Sequence, residues 1–270
     1  MPSELSPEER LKPYSKYFYL PPAAPAPEKL AALERPLDPA LALPVEQLND
    51  LLNPGYLPAE AGWCILPSGA AYVSNITAMP GVTVEMINWW FAWHGLEGLR
   101  YKIWFPPAHL AISVSDTDRA RILDPAVPLT GKFQGLTHHV VENVGGGPEN
   151  ITIHFLTPAD AGFDMTRFHA PFIGTVVAAN GLSAPVDGSH PPAPAFMCHA
   201  VREIPGGVEL RTRFWMGYHM IERQPRLLLP PGIRIPDFVP HGLAVHNVHE
   251  YTNLAALLLR IYPEQRASGF

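Results

Sequence analysis

Three His-x-x-x-Glu pairs stand out among the residues that could do chemistry: His138/Glu142, His199/Glu203 and His246/Glu250. At that spacing on a helix an imidazole and a carboxylate project from one face and can converge on one divalent ion. The same spacing also fits an ion pair along a helix, worth a few tenths of a kcal/mol when exposed. With 12 histidines and 25 acids in 270 residues, chance alone supplies such pairs, so position has to decide between the readings. His246 and Glu250 fall in a run, 242–262, where Leu243, His246, Glu250, Leu254, Leu257 and Ile261 recur at three- and four-residue steps. That period predicts a helix whose apolar stripe is interrupted by two ligand-type side chains. Glu142 lies in the alternating run 136–143, which puts it on one face with His138 and Val140. An acid there is costly to bury unless it is paired or bound to metal. His109, at a strand start after Pro106-Pro107-Ala108, is a third candidate; His138, His139 and His249 adjoin the candidates and fit either a role in orienting them or that of solvated or paired histidines. Two histidines and two carboxylates form a zinc set that lacks the thiolates of structural sites and therefore points to catalysis.

The elements that must position these residues read as α+β. Residues 1–60 are Pro-rich, with an aromatic knot of Tyr14, Tyr17, Phe18 and Tyr19, and show periodicity only at 28–34 and 44–52. They are expected to form an arm with short helices on a main domain of 61–270. A strand over 70–79 precedes a helix over 82–95, which Thr83 can cap and Gly95 can end. Its Trp89, Trp90 and Trp93 require burial. Strand-like runs follow at 100–104, 109–115, 136–143, 150–156, 174–179, 195–204 and 208–221. Hairpin signals at Pro205-Gly206-Gly207 and Gly145-Gly146-Gly147-Pro148 join two of the pairs. The expectation is an antiparallel sheet of roughly half a dozen strands, curved around the C-terminal helix with a cavity between them. Such cavities hold small hydrophobic molecules.

Composition excludes several other classes. A formal charge of -6 leaves no basic footprint for nucleic acid or an anionic membrane surface. No apolar run approaches the ~18 residues of a bilayer span. Cys64 and Cys198 have no short metal-ligand spacing, and residues 1–4 show neither a basic nor an apolar leader pattern, so a reducing cytoplasm fits best. A homodimer is compatible with the sequence.

Several segments in order carry a further signal: Trp89-Trp90-Phe91-Ala92-Trp93-His94-Gly95-Leu96-Glu97, then Leu99-Arg100-Tyr101-Lys102-Ile103-Trp104, His109, Glu142, Arg213-Phe214-Trp215-Met216-Gly217-Tyr218, and His246-x-x-x-Glu250-Tyr251-x-Asn253-Leu254. Together they resemble the 2,4-diacetylphloroglucinol hydrolase and phloretin hydrolase family over nearly the whole chain. The resemblance implies a helix-grip fold, like that of the START and birch-pollen-allergen superfamily, with a small N-terminal segment. It implies a zinc-dependent (Zn2+) hydrolase that cleaves the bond between a polyhydroxylated ring and its acyl group, with a small aromatic acyl substrate as partner. It places the zinc ligands on His109, Glu142, His246 and Glu250, and puts Tyr101 against a phenolic hydroxyl. His199 and Tyr218 correspond to a further pocket histidine and tyrosine.

An aryl carbanion leaves only after the ring is protonated at the acyl-bearing carbon, which 1,3,5-trihydroxy substitution permits by enol-to-keto tautomerism. Hydroxide attack on the acyl carbonyl then releases the ring. Tyr101 and Tyr218 are placed to hold phenolic oxygens and His199 to move the proton; all three also fit a cavity lining with satisfied polar tips. His94 and the tryptophans are expected to pack the helix onto the sheet rather than to touch substrate. The competing class is a non-catalytic carrier of hydrophobic aromatics, which has no need of four converging ligands.

Overall fold

Alternation of apolar and polar residues builds a sheet with two usable faces, and here both are covered. The computed structural model describes residues 4–169 and 171–267, so the ends of the expected arm and domain, residues 1–3 and 268–270, lie outside the described residues. Eight strands, β1 (Gly62–Ile65), β2 (Ala71–Pro80), β3 (His109–Val114), β4 (Thr137–Asn143), β5 (Pro148–Leu156), β6 (Thr175–Pro185), β7 (Ala193–Ile204) and β8 (Gly207–Met216), form one antiparallel sheet. Their order is β1-β2-β8-β7-β6-β5-β4-β3. Both predicted hairpins are present: Asn143 pairs with Pro148 across the glycine turn, and Ile204 pairs with Gly207 across Pro205-Gly206. The predicted strand 208–221 breaks at Gly217, whose φ of +98° disfavours any other residue. Beyond it β9 (Tyr218–Ile221) pairs with β10 (Gln224–Leu227) in a separate two-stranded sheet.

On the concave face lies the long helix α6 (Phe238–Gln265), which begins four residues earlier than its apolar period implies because Pro240 is tolerated in a first turn. Below it sits α3 (Val84–Trp93), N-capped by the Thr83 side chain, which accepts from the Met86 amide at 3.2 Å. Trp89, Trp90 and Trp93 are all buried, packed with Leu254, Leu258 and Ile261 of α6. Gly95 does not end α3 by a left-handed turn; a 3-10 turn, His94–Leu96, carries the chain onward. Its small size serves packing instead, since a Cβ there would lie 2.6 Å from the His138 ring. The run 100–104, expected as strand, belongs to the helix α4 (Gly98–Trp104). Its isolated pattern is too short to separate the two periods, and burial of Leu99, Tyr101, Ile103 and Trp104 in the concave core decides for helix.

The arm packs on both sides of the sheet: Leu5, Tyr14 and Tyr17 join the core of α3 and α6, Leu33 meets Ala244 and Val248 of α6, and the stretch from Ala42 covers the opposite face. Its short helices α1 (Pro7–Arg10) and α2 (Pro27–Ala31) and the 3-10 segment Val45–Leu52 follow the expected outline. The last of these buries Val45, Leu48, Leu51 and Leu52 against Tyr72, Phe196, Cys198 and Trp215. Trp215 donates its indole N–H to the Leu43 carbonyl at 2.7 Å, and Trp63 donates to Leu33 at 2.7 Å, so two buried tryptophans pin the arm. Glu60 pairs with the buried Arg211 and Arg213 on the same side. A second core behind the sheet was not anticipated from the sequence.

Candidate active site

The cavity between α6 and the concave face encloses about 1020 Å³ and is lined mainly by apolar side chains. Strand β3 begins at His109, directly across from Glu142 of β4, and a register shift follows between His109 and Ala111. Such a bulge re-aims a side chain. His246 and Glu250 reach the same point from one face of α6. His109 Nε2 lies 3.6 Å from a Glu142 oxygen and 3.5 Å from Glu250 Oε2, which is 3.6 Å from His246 Nε2. Ligand atoms of His109, Glu142 and His246 all fall within 4.8 Å of one another. Glu250 stands outside that mutual set yet touches both histidines. His138 and Val140 line the cavity beside Glu142, as the strand alternation predicts.

The hydrogen-bond pattern gives this cluster its meaning. His109 Nδ1 faces the Tyr101 carbonyl at 3.1 Å; a carbonyl can only accept, so Nδ1 carries the hydrogen and Nε2 presents a lone pair. That Nε2 is buried and without a hydrogen-bond partner, and two carboxylates face it. Lone pairs and negative charge converging in a dry site repel unless a cation lies between them. The residues therefore fit a divalent metal, with His109 oriented as metal-binding histidines are, through its other ring nitrogen. Tyr101 stacks on His109 at a centroid distance of 4.1 Å and an angle of 2°, and donates its phenol hydrogen to Glu142. Burial works against the charge on Glu250, but the neighbouring His246 outweighs it and holds the carboxyl down at about 2.

Asn247 and Asn75, which the sequence reading missed, form an outer support. Asn247 Nδ2 donates to Glu250 Oε1 at 3.3 Å, and Asn75 Nδ2 donates to Asn247 Oδ1 at 3.0 Å. Asn247 follows His246 in the chain, but only the crossing of α6 over β2 brings Asn75 to it.

Deeper in the cavity His199 of β7 is held at both ring nitrogens, 2.9 Å from Thr212 Oγ1 and 2.8 Å from the Tyr251 hydroxyl. Burial pushes its pKa down to about 4, so the imidazole is neutral at pH 7. His94 stacks on Trp90 at 5.7 Å, the packing role expected of it, and also borders the cavity. Tyr218 lies apart from these residues. It sits on β9 and packs against the core behind the sheet, and it is not part of the cavity wall. The positive-φ break at Gly217 turns the chain away, and the tyrosine that meets His199 is Tyr251, one residue beyond Glu250.

A buried acid–base cluster at the floor of an apolar cavity is the arrangement of an enzyme acting on a small molecule. The chain belongs to the DAPG hydrolase family: residues 43–263 match the domain described as DAPG hydrolase PhiG domain. It is 38% identical over 267 residues to phloretin hydrolase of Eubacterium ramulus, covering 96% of this chain and 92% of that one. It is 32% identical over 268 residues to 2,4-diacetylphloroglucinol hydrolases of a Pseudomonas species and of Pseudomonas protegens, covering 94% of this chain and 89% and 85% of theirs. The protein is thus a hydrolase. The matched region begins inside the expected arm, so the segment from residue 43 that packs behind the sheet is shared by the family. Among the described residues no helix is long and apolar enough to cross a membrane.

Proposed function

We propose that this protein is a zinc-dependent hydrolase that cleaves the carbon–carbon bond between a polyhydroxylated aromatic ring and its acyl group, with a helix-grip domain, 61–270, as its catalytic body and the arm, 1–60, packed around it. The relatives' names specify aryl ketones whose polyhydroxylated ring, once protonated to its keto form, is a far better leaving group than an alkyl carbanion, so water releases the acid by breaking the ring–carbonyl bond. The observation that carries the reading is the buried, unpartnered Nε2 of His109 facing Glu142, Glu250 and His246. These four residues would hold the zinc. Bound there, the metal supplies Lewis acidity toward a substrate oxygen and lowers the pKa of water toward ~7. The free, buried Cys64 and Cys198 support a reducing cytoplasm as the setting.

The chain's own groups account for the rest. A ring carrying several hydroxyls would find buried polar partners at the inner end of the cavity, beside Tyr101, His199 and Tyr251. Burial raises the Tyr101 and Tyr251 phenols well above their usual range, so both remain protonated. Tyr251 would give its phenol proton to the ring carbon that bears the acyl group and be reprotonated through His199, whose other nitrogen is bonded to the Thr212 hydroxyl. Water adds to the acyl carbon, the ring–carbonyl bond breaks with its electron pair going to the protonated, keto-form ring, and that ring returns to its aromatic form. The net change is one acyl arene and one water giving one carboxylic acid and one deacylated arene. The apolar walls exclude bulk water.

Incubation of the purified protein with mono- and diacylphloroglucinols and phloretin, with both products identified by chromatography and zinc measured on the same sample, tests this. The reading requires cleavage, near-stoichiometric zinc, and loss of turnover when the phenols are methylated; a site demanding a polar contact rejects such analogues by ~10⁴-fold or more. A folded, metal-free protein that binds these compounds without cleaving them would be a carrier instead.

A further inference from the structure

We propose that the outer half of the cavity is a subsite for a long, unbranched apolar acyl chain, and that the substrate carries its polyhydroxylated ring at the inner end and such a chain toward the mouth. The inference rests on the function proposed above and deepens it. Buried polar groups gather at the inner end of the cavity, while its exposed end is mostly apolar, with Asp187, Ser189, His190 and Arg234 among its residues. The groups able to meet ring hydroxyls, Tyr101, His199 and Tyr251, lie at the buried end beside Glu142, His246 and Glu250. Toward the mouth the same helix presents Leu243, Val239 and Phe238 in place of polar residues. From Phe238 to Glu250 the helix rises ~18 Å, a span much longer than an acetyl group. The volume of about 1020 Å³ is likewise at the upper end of the ~300–1,000 Å³ range that encloses drug-sized ligands. A ring with a two-carbon acyl group would leave most of it unfilled.

The rim carries the same chemistry outward. Phe238, Val186 and Ile233 are 66%, 54% and 52% exposed, although all three line the cavity. Apolar side chains left in solvent at the edge of a binding cavity mark a surface that a ligand covers. The two segments that carry Val186 and Ile233, 185–194 and 228–240, each contain four prolines, so the rim is stiff before a ligand arrives, which reduces the ordering cost of binding. Charged groups near this end are already engaged: Arg234 pairs with Asp237 at 2.7 Å, Glu149 accepts from Ser183, and Asp187 accepts from the Ser189 amide at 3.0 Å. His190 Nδ1 lies 3.0 Å from the Pro191 carbonyl, and the apolar side chains that make up most of this end favour an uncharged chain.

Alkylphloroglucinols test the subsite without turnover, because they lack the ketone and cannot be cleaved. Their dissociation constants, measured on the full zinc-loaded protein by calorimetry for ethyl, butyl, hexyl and octyl members, should fall about threefold to fourfold per methylene. The kcat/KM of the matching acylphloroglucinols should rise with chain length in parallel. Ile233→Asp should flatten both slopes, and Phe238→Ala should do so more mildly while keeping the fold intact. Affinity independent of chain length would overturn the proposal, as would slopes unchanged in both variants. So would rim variants that alter only self-association, since a second copy of the chain would then be the occupant. Graded binding of the alkyl series with no cleavage of the acyl series would uphold the subsite while overturning the proposed activity.

Discussion

The hydroxyl of Tyr251 lies 2.8 Å from Nε2 of His199, joining the helix position after Glu250 to the middle of β7. Thr212 on β8 holds the other ring nitrogen at 2.9 Å, so one imidazole connects a helix and two strands at the cavity's inner end. This contact distinguishes Tyr251 from Tyr218. Tyr251→Phe and His199→Gln should each lower kcat by 10²-fold or more, in the range of general acid–base contributions. Tyr218→Phe should stay near the wild-type rate. Steady-state kinetics on one acylphloroglucinol separates the cases, and a large loss in Tyr218→Phe would contradict the placement of Tyr218 behind the sheet.

The ligand assignment predicts a shared phenotype. His109→Ala, Glu142→Gln, His246→Ala and Glu250→Gln should each lose most bound zinc and nearly all activity while remaining folded, because each removes one of four converging donors. Elemental analysis after dialysis, with circular dichroism as the check on folding, measures this. Full zinc retention in all four variants would place the metal elsewhere.

The Asn75–Asn247–Glu250 relay should act through the metal. Asn247→Leu is expected to weaken zinc affinity by about 10–100-fold, the usual effect of removing a group that orients a ligand. Asn75→Ala should shift affinity in the same direction by less, since one partner further out is lost. Competition with a chromophoric chelator reads the affinity without reference to turnover.

Stability should depend on pH through the buried imidazoles. An unfolded histidine takes its proton near 6.5 and the buried His199 only near 4, so the unfolded state binds more protons in that window. Stability is then greatest above about 6.5 and is lost as the pH falls toward 4, by on the order of 3 kcal/mol at most from this residue. Thermal melts of the wild type and His199→Gln from pH 7.5 to 4 should show a shallower decline in the variant. Equal slopes would mean that His199 is protonated at the same pH folded and unfolded.

Local patterns determined a good part of this protein. The three- and four-residue period around His246 and Glu250, the alternation that sets Glu142 beside His138, and the glycine turns of two hairpins are properties of neighbouring residues, and they fixed the long helix, most of the sheet and the candidates that meet at its floor. The order of motifs from Trp89 to Leu254 pointed to the family without any coordinates. What the tertiary structure decided depends on residues far apart in the chain. Residues 100–104 have a pattern too short to choose between strand and helix, and burial in the concave core made the choice. Tyr218 and Tyr251 both stand near sequence features of the site, yet the break at Gly217 sends one behind the sheet while the crossing of α6 brings the other to His199. Asn75 carries no local sign of its link to Glu250, because that link exists only where β2 passes under the helix. The lone pair of His109 Nε2 is likewise a product of assembly. Its partner nitrogen is committed to the Tyr101 carbonyl by the fold of α4 against β3, and only then do the carboxylates around it require a cation.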